Sequence, residues 1–293
     1  MPELPEVESV RRQLVPELTG RLVVSVWWDA HPHARLSDVH LLEGHRIRSV
    51  ERRGKFLLCP LDPPEPWSAE NDDGRTDRRR LELVLHLGMT GSIRIRPVEG
   101  SPDTDIGAPP AHIRASFVLD DGRVVLFNDP RRFGRVSVVP AGDYAGRIPT
   151  LAALGPEPLS DDFEVAAFAA ALSRTSSPIK AKLLDQRLVA GIGNIYADEA
   201  LWRARIHPAS RRVGRARARA LHTTIREVLT SAIEREGTTF RDYQMVNGKS
   251  GRNADFLDAY GQGDLPCRRC GTPMRRTVIA QRGTTYCPKC QRH

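Results

Sequence analysis

The chain has 293 residues, 40% of them hydrophobic, with a formal net charge of +8. That length suffices for two domains with a sizeable core, and no run approaches the roughly 18 apolar residues of a membrane span. The basic balance points to a polyanionic partner. Only Lys55, Lys180, Lys182, Lys249 and Lys289 are lysines, an arginine bias better read as base composition than as function, since both residues bind phosphate.

The first residues, Met1-Pro2-Glu3-Leu4-Pro5-Glu6, are acidic and proline-bearing. They lack the basic region and apolar stretch of a secretory signal, so a cytoplasmic, nucleoid-associated location is expected. Val7, Val10, Leu14 and Leu18 are spaced for a helix from Pro5 to Leu18, with Pro5 suited to its first turn. The pattern then turns β. Strands are expected at Leu22–Trp28, Arg46–Val50, Phe56–Cys59, Leu81–Leu87, Ser92–Arg96, Ile113–Leu119, Val124–Phe127 and Arg135–Val139. Asp121-Gly122 reads as a hairpin turn, and the set suggests a sandwich or barrel. Two stretches, 62–80 and 100–110, are rich in turn-forming residues and read as exposed insertions.

The Pro- and Gly-bearing stretch 141–160 reads as a linker. Helices are expected at Asp161–Ser173, Pro178–Val189, Asn194–Arg205 and Arg215–Glu236, followed by a polar loop at 238–264. The resulting organisation is an α+β chain: an N-terminal β domain at 1–140, a linker at 141–160, a helical domain at 161–263 and a four-cysteine tail at 264–293.

That tail carries Cys267-x2-Cys270 and, sixteen residues on, Cys287-x2-Cys290. Each pair can grip one metal from a tight turn. Four thiolates suit tetrahedral Zn²⁺ with no open position, hence one structural ion. A tail this short has little core, so the metal supplies folding energy. The fifth cysteine, Cys59, lies in an apolar run and reads as a small buried hydrophobe.

Two further segments are ambiguous by general rules. Gly191-Ile192-Gly193-Asn194 breaks two helices, and the amides opening the second favour a phosphate oxygen. An ordinary helical hairpin explains the same residues. At the N-terminus, removal of Met1 would leave Pro2 as a free secondary amine. Such an amine has a pKa near 8 and can attack a carbonyl-like carbon to form an iminium. Glu3 could act as general acid beside it. The same residues could merely start a helix.

Six motifs in order remove the ambiguity. They are Pro2-Glu3-Leu4-Pro5-Glu6-Val7-Glu8, Arg53-Gly54-Lys55, His86-Leu87-Gly88-Met89-Thr90-Gly91, Asn128-Asp129-Pro130-Arg131-Arg132-Phe133-Gly134, Gly191-Ile192-Gly193-Asn194-Ile195-Tyr196, and the cysteine finger containing Gln281-Arg282. Along its whole length the chain resembles the formamidopyrimidine-DNA glycosylases, of the helix–two-turn–helix type. The resemblance implies an N-terminal β-sandwich with flanking helices, a helical DNA-binding domain and a zinc finger, with DNA in the cleft between domains. It implies a bifunctional glycosylase/AP lyase that excises oxidised purines from duplex DNA by Schiff-base chemistry and β,δ-elimination, acting as a monomer.

By the same resemblance Pro2 attacks C1′, Glu3 is the acid on the sugar ring, and Glu6 holds the N-terminal segment. Lys55 contacts a phosphate and assists catalysis. Asn194 and Arg282 grip phosphates flanking the lesion. Met89, Arg131 and Phe133 fill the gap left by the flipped base, as chemistry on an extruded nucleotide requires. His86, Arg132, Lys180 and Tyr196 complete the expected DNA contacts. The 238–264 loop is expected to close over the flipped base. Leu4 separates the purine-type enzyme from the related endonuclease VIII type, which typically has Gly there. A non-catalytic zinc-ribbon DNA binder would explain the charge and cysteines but has no use for Pro2, Glu3 and Lys55 together.

Overall fold

Helix α1 (Leu4–Leu18) forms where the apolar spacing places it. Val7, Val10, Leu14 and Leu18 are all buried in one core with the strands that follow. The structure, a computed structural model, describes residues 1–31, 35–64, 80–97, 111–174, 176–240 and 243–293. Residues 65–79, most of the expected 62–80 insertion, and the whole 100–110 insertion lie outside them.

Ten strands follow: β1 (Val23–Trp28), β2 (Arg35–Ser37), β3 (Arg46–Ile47), β4 (Glu51–Arg53), β5 (Phe56–Asp62), β6 (Leu81–His86), β7 (Ser92–Pro97), β8 (Ile113–Leu119), β9 (Arg123–Asn128) and β10 (Arg135–Pro140). One antiparallel sheet runs β1-β8-β9-β7. The other runs β2-β10-β6-β5-β3, with β4 also paired to β5. Residues from both sheets share the core with α1, among them Val23, Ile93, Phe117 and Phe127 from one and Leu57, Leu85 and Val136 from the other. This is the expected sandwich. Cys59 is fully buried on β5, as its apolar run implied.

The stretch 141–160 is not a bare linker. It contains α2 (Tyr144–Arg147) and α3 (Pro149–Ala152). Tyr144 donates its hydroxyl to the buried Glu82 on β6, which ties the segment back to the sheet. The second half of the chain supplies α4 (Val165–Ser173), α5 (Ile179–Leu184), α6 (Asn194–Arg203) and α7 (Arg215–Glu234), then the hairpin β11 (Arg275–Ile279) and β12 (Arg282–Tyr286). The apolar faces of α4 to α7 enclose a second core that includes Leu4.

The chain thus forms two units: Met1–Pro2, Glu6–Ala152 and Thr239–Gly251 in one, Glu3–Pro5, Ala153–Thr238 and Arg252–His293 in the other. A division at 141–160 alone misses two exchanges. Glu3–Pro5 belong with the helices, and part of the 238–264 loop belongs with the strands. Tyr243 and Met245 from that loop are buried in the β core. The Tyr243 hydroxyl donates to the Glu6 carbonyl at 3.1 Å, and Arg94 donates to Gln244 Oε1 at 2.6 Å. The middle of the segment expected to close over the flipped base is thus anchored on the β unit; Arg241 and Asp242 lie outside the described residues.

Candidate active site and zinc cluster

In the helical unit, Glu3 is the organising group. It is 2% exposed. Its carboxylate accepts the backbone N–H groups of Gly193 at 2.7 Å, Ile195 at 2.9 Å and Tyr196 at 3.4 Å. These are the donors left open at the start of α6. The sequence points to a phosphate as their occupant, but the chain fills the position with its own anion. The local sequence permits it because residue 193 is glycine: a Cβ there would overlap the Glu3 carboxylate, with Oε1 at 2.5 Å. Gly191, at φ +85°, admits Leu4, whose side chain would lie 2.6 Å from a Cβ at that position. The Leu4 N–H donates to the Gly191 carbonyl at 3.0 Å. Gln186 staples the same turn, accepting from Gly191 N at 2.9 Å and donating to the Ile192 carbonyl at 2.7 Å. Residues 3 and 4 are thereby fixed by a turn nearly 190 residues away. Leu4, fully buried in the helical core, is a packing residue.

Two expected DNA contacts are turned inward. Lys180 is fully buried and forms an ion pair with Asp198 at 2.7 Å. It also donates to the Gly283 carbonyl and to Thr284 Oγ1, both at 2.9 Å. These three acceptors enclose the ammonium group away from solvent. Burial lowers its pKa, and burial raises that of Asp198 to about 6 against the pull of Lys180 and the Thr285 N–H. Tyr196 is 1% exposed, and its hydroxyl meets Thr238 Oγ1 at 3.0 Å within the core. Neither side chain is exposed as a DNA-contacting residue would be. Asn194 stands at the start of α6 and donates to the Gly283 carbonyl at 3.0 Å. Arg282, one residue earlier on β12, is exposed beside the hairpin turn at Ala280-Gln281, where both residues adopt positive φ.

The cysteines converge as their spacing implied. The four Sγ atoms lie within 4.8 Å of one another. Four sulfurs at about 2.3 Å from one zinc are separated by just under 4 Å, so the cluster fits that ion. Trp202, Ala259 and Met274 pack around Cys267 and Cys287 as a small satellite core. Glu199 holds the segment leading to the finger, accepting N–H groups from Asp258, Ala259 and Tyr260 at 2.9–3.0 Å. Gln291 joins the second cysteine turn to the helices by bonds to Cys287 N at 2.7 Å and the Ile206 carbonyl at 2.9 Å.

In the β unit, Lys55 occupies the turn between β4 and β5 and is largely buried. Arg52 braces this turn, donating to the Gly54 carbonyl at 3.0 Å and to Glu8 Oε2 at 3.1 Å. Burial would push the Glu8 carboxyl up, but Arg11, Arg12 and Arg52 hold it down at about 2. Glu6 is 1% exposed, on the first turn of α1. Pro2 is buried while Met1 is half exposed. His86 lies 4.6 Å from the Phe56 ring and accepts the Gly88 N–H on Nδ1 at 3.0 Å. Burial first, then Lys55, push its pKa down to about 4. At neutral pH it therefore carries an Nε2–H but no charge.

Met89 sits in the turn between β6 and β7, and Arg131 and Phe133 sit in the turn between β9 and β10. The two turns touch. A Cβ on Gly88 would lie 2.5 Å from Gly134 N and from the Phe133 carbonyl carbon, so only glycine allows the approach. Arg131 is exposed, with its guanidinium 4.7 Å above the Phe133 ring. Phe133 is 43% exposed. Arg132 differs from its neighbours: Nε and Nη2 both donate to Asp29 Oδ2, at 3.2 and 2.8 Å. The sequence leads to a free phosphate anchor there, but this arginine is already paired.

Comparison with known proteins agrees along the whole chain. The Formamidopyrimidine-DNA glycosylase N-terminal domain matches residues 1–136, the Formamidopyrimidine-DNA glycosylase H2TH domain residues 154–244, and the zinc finger found in FPG and IleRS residues 264–292. Formamidopyrimidine-DNA glycosylase of Deinococcus radiodurans is 44% identical over 295 residues, spanning 99% of this chain and 97% of the relative. That of Thermus thermophilus is 45% identical over 296 residues, spanning 99% and 98%. The solved MutM (FPG) protein of Thermus thermophilus superposes with TM-score 0.84 at 44% identity, covering 99% and 98% of the two chains. A Lactococcus lactis FPG mutant in complex with Fapy-dG-containing DNA superposes with TM-score 0.82 at 31% identity, covering both chains fully.

Proposed function

The chain belongs to the formamidopyrimidine-DNA glycosylase family, and from that premise we propose how its own residues carry out the reaction. The enzyme is a DNA glycosylase with AP lyase activity that excises oxidised purines, and it carries one structural zinc on Cys267, Cys270, Cys287 and Cys290.

With Met1 removed, the Pro2 nitrogen is a secondary amine able to attack C1′ of the damaged nucleotide. The N-glycosidic bond breaks, the base leaves, and opening of the sugar ring gives an iminium linking Pro2 to C1′. Elimination of the flanking phosphates from this adduct is the lyase step. The Glu3 carboxylate takes the proton that the Pro2 nitrogen loses on bonding to C1′ and passes it to the ring oxygen as the sugar opens. The observation that carries this reading is the anchoring of Glu3 by three backbone donors, which fixes the residue joined to Pro2. Glu6 and the Glu8–Arg52 pair hold the start of α1 and the Lys55 turn. Lys55, Asn194 and Arg282 take phosphates, with Arg282 carried on the zinc hairpin.

Met89, Arg131 and Phe133 occupy the space vacated by the flipped base. Guanidinium has donors only. Cytosine presents acceptors at O2 and N3, whereas adenine presents N1 beside a donor, so Arg131 favours cytosine opposite the lesion. His86 contributes a neutral N–H. One chain contains every group named, which supports action as a monomer. Among the described residues no helix is long and apolar enough to cross a membrane; a genomic DNA substrate supports a cytoplasmic, nucleoid-associated location.

The deciding experiment is borohydride trapping on an 8-oxoguanine duplex, with the adduct mapped by mass spectrometry. The expected adduct is on Pro2 as first residue. A preparation retaining Met1 that traps equally well would overturn the nucleophile assignment, and no covalent product at all would favour a DNA-binding protein without this chemistry.

A further inference from the structure

We infer that Asp129 is a positioning residue for partner-base discrimination: one buried carboxylate sets the spacing of all three groups that fill the flipped base's place. The inference rests on the reading of Met89, Arg131 and Phe133 given above.

Asp129 is 1% exposed. Its Oδ1 accepts the Thr90 hydroxyl at 2.7 Å and the Arg131 N–H at 3.3 Å. Its Oδ2 accepts the Gly134 N–H at 2.7 Å. These partners flank or include each tip residue. Thr90 follows Met89, Gly134 follows Phe133, and the bond to Arg131 is to its own backbone. On the other side of Met89, Gly88 is wedged against the Phe133–Gly134 backbone. The tips are exposed or half-exposed, while the atoms that place them converge on one carboxylate.

A second carboxylate stiffens the arrangement. Arg114, 6% exposed, donates from Nε to the Asp129 carbonyl at 2.9 Å and from Nη1 to Asp29 Oδ2 at 3.1 Å. Asp29 also holds Arg132, whose φ of +56° is rare for a residue other than glycine. The backbone between Arg131 and Phe133 is thus kept in a left-handed turn by an ion pair. An exposed Phe beneath an Arg gains little in water from such rigidity. It gains where two side chains must enter a base stack with fixed offset, because a displacement of about 1 Å can cost about 100-fold in rate.

Asp129→Asn tests this. Asparagine must turn an NH₂ toward either the Gly134 N–H or the Arg131 N–H, so donor meets donor on one side; only the Thr90 hydroxyl can rotate to accept. Excision opposite cytosine should fall by about 10- to 100-fold, and the preference for cytosine over adenine should shrink toward one. Borohydride trapping on a single-stranded abasic oligonucleotide, which has no partner base, should be unchanged. Thr90→Val cuts only the tie between the two turns and should lose part of the preference, while Thr90→Ser should retain it. If Asp129→Asn does not fold, the Thr90 pair carries the test. Loss of preference in Arg131→Ala but not in Asp129→Asn or Thr90→Val would overturn the inference. So would an equal drop in single-stranded trapping, which marks a general loss of structure. An unchanged preference in Arg131→Ala would instead show that the tip reading itself is wrong.

Discussion

Gly193→Ala should destabilise the protein, although general rules predict the opposite sign. Residue 193 has φ −128° and ψ −156°, extended backbone open to any residue. A Gly→Ala change at a compatible position ordinarily stabilises by about 0.4–1 kcal/mol through the unfolded state. Here the new methyl would take the space of the Glu3 carboxylate. Two of the displaced bonds are short, at 2.7 and 2.9 Å. Hydrogen bonds to a charged group contribute about 1.5–3 kcal/mol each, so their loss costs about 3–6 kcal/mol and the net change is about 2–5 kcal/mol. At about 2–4 °C per kcal/mol for a domain of this size, Tm should drop by about 5–20 °C. Thermal unfolding of the zinc-loaded protein measures the total, and hydrogen exchange at the Ile195 and Tyr196 amides reports the site itself. In a Glu3→Ala background the methyl has room, so the double variant should be no less stable than Glu3→Ala alone. A Gly193→Ala protein as stable as the parent, with both amides still protected, would refute the argument.

Lys180→Met should cost about 3–5 kcal/mol by stranding the Asp198 carboxylate, whereas Lys180→Met with Asp198→Leu should recover most of that loss; denaturant titration of the three proteins checks it. Cys287→Ser should release zinc, measurable by a metallochromic dye, and weaken DNA binding while the circular dichroism of the β unit persists. Stability should also fall with acidification through the His86 window. The unfolded imidazole takes a proton near pH 6.5 but the folded one only near pH 4. Between those values the unfolded state binds more protons, so the stability present above 6.5 is lost as pH drops toward 4. His86→Gln should flatten that part of a pH–stability curve.

Much of the fold was legible because its signals are local. Seven of the eight expected strands form over most of their length, since alternation and apolar runs follow from burial of a sheet face; Arg46–Val50 is strand only at Arg46–Ile47. The misses are the three-residue strands β2 and β4, whose polar sequences carry no period; β2 exists through parallel pairing with β10. The expected helix at Pro178–Val189 ends at Leu184, because Asp185 turns extended and Gln186 staples the following turn. Leu188 and Val189 kept the helical rhythm while entering the core from a turn. In the site, the cysteine cluster was readable from spacing, whereas the proposed catalytic set rests on family resemblance. Partners remote in sequence were not readable. Nothing near Asn194 announces that Glu3 will occupy its helix start, and nothing near Lys180 announces Asp198 and the zinc hairpin. For the same reason Asp29, Arg114 and Asp129 passed unremarked beside the showier Arg131 and Phe133.

Cys59 has a consequence for durability. A thiol is oxidised through its thiolate and only where an oxidant can reach it. Cys59 is fully buried on β5, and burial drives its pKa far upward, so it offers neither charge nor access. The remaining sulfurs of cysteine are the four in the finger, of which Cys270 and Cys290 are partly accessible. Among the cysteines, peroxide therefore meets the protein at its zinc. Losing one thiolate releases the ion and the folding energy it supplies, and the hairpin bearing Arg282 goes with it. Pro2, the nucleophile proposed above, contains no sulfur and is spared. Under the oxidising conditions that create its substrates, this enzyme should lose its hold on DNA while its reactive amine stays intact.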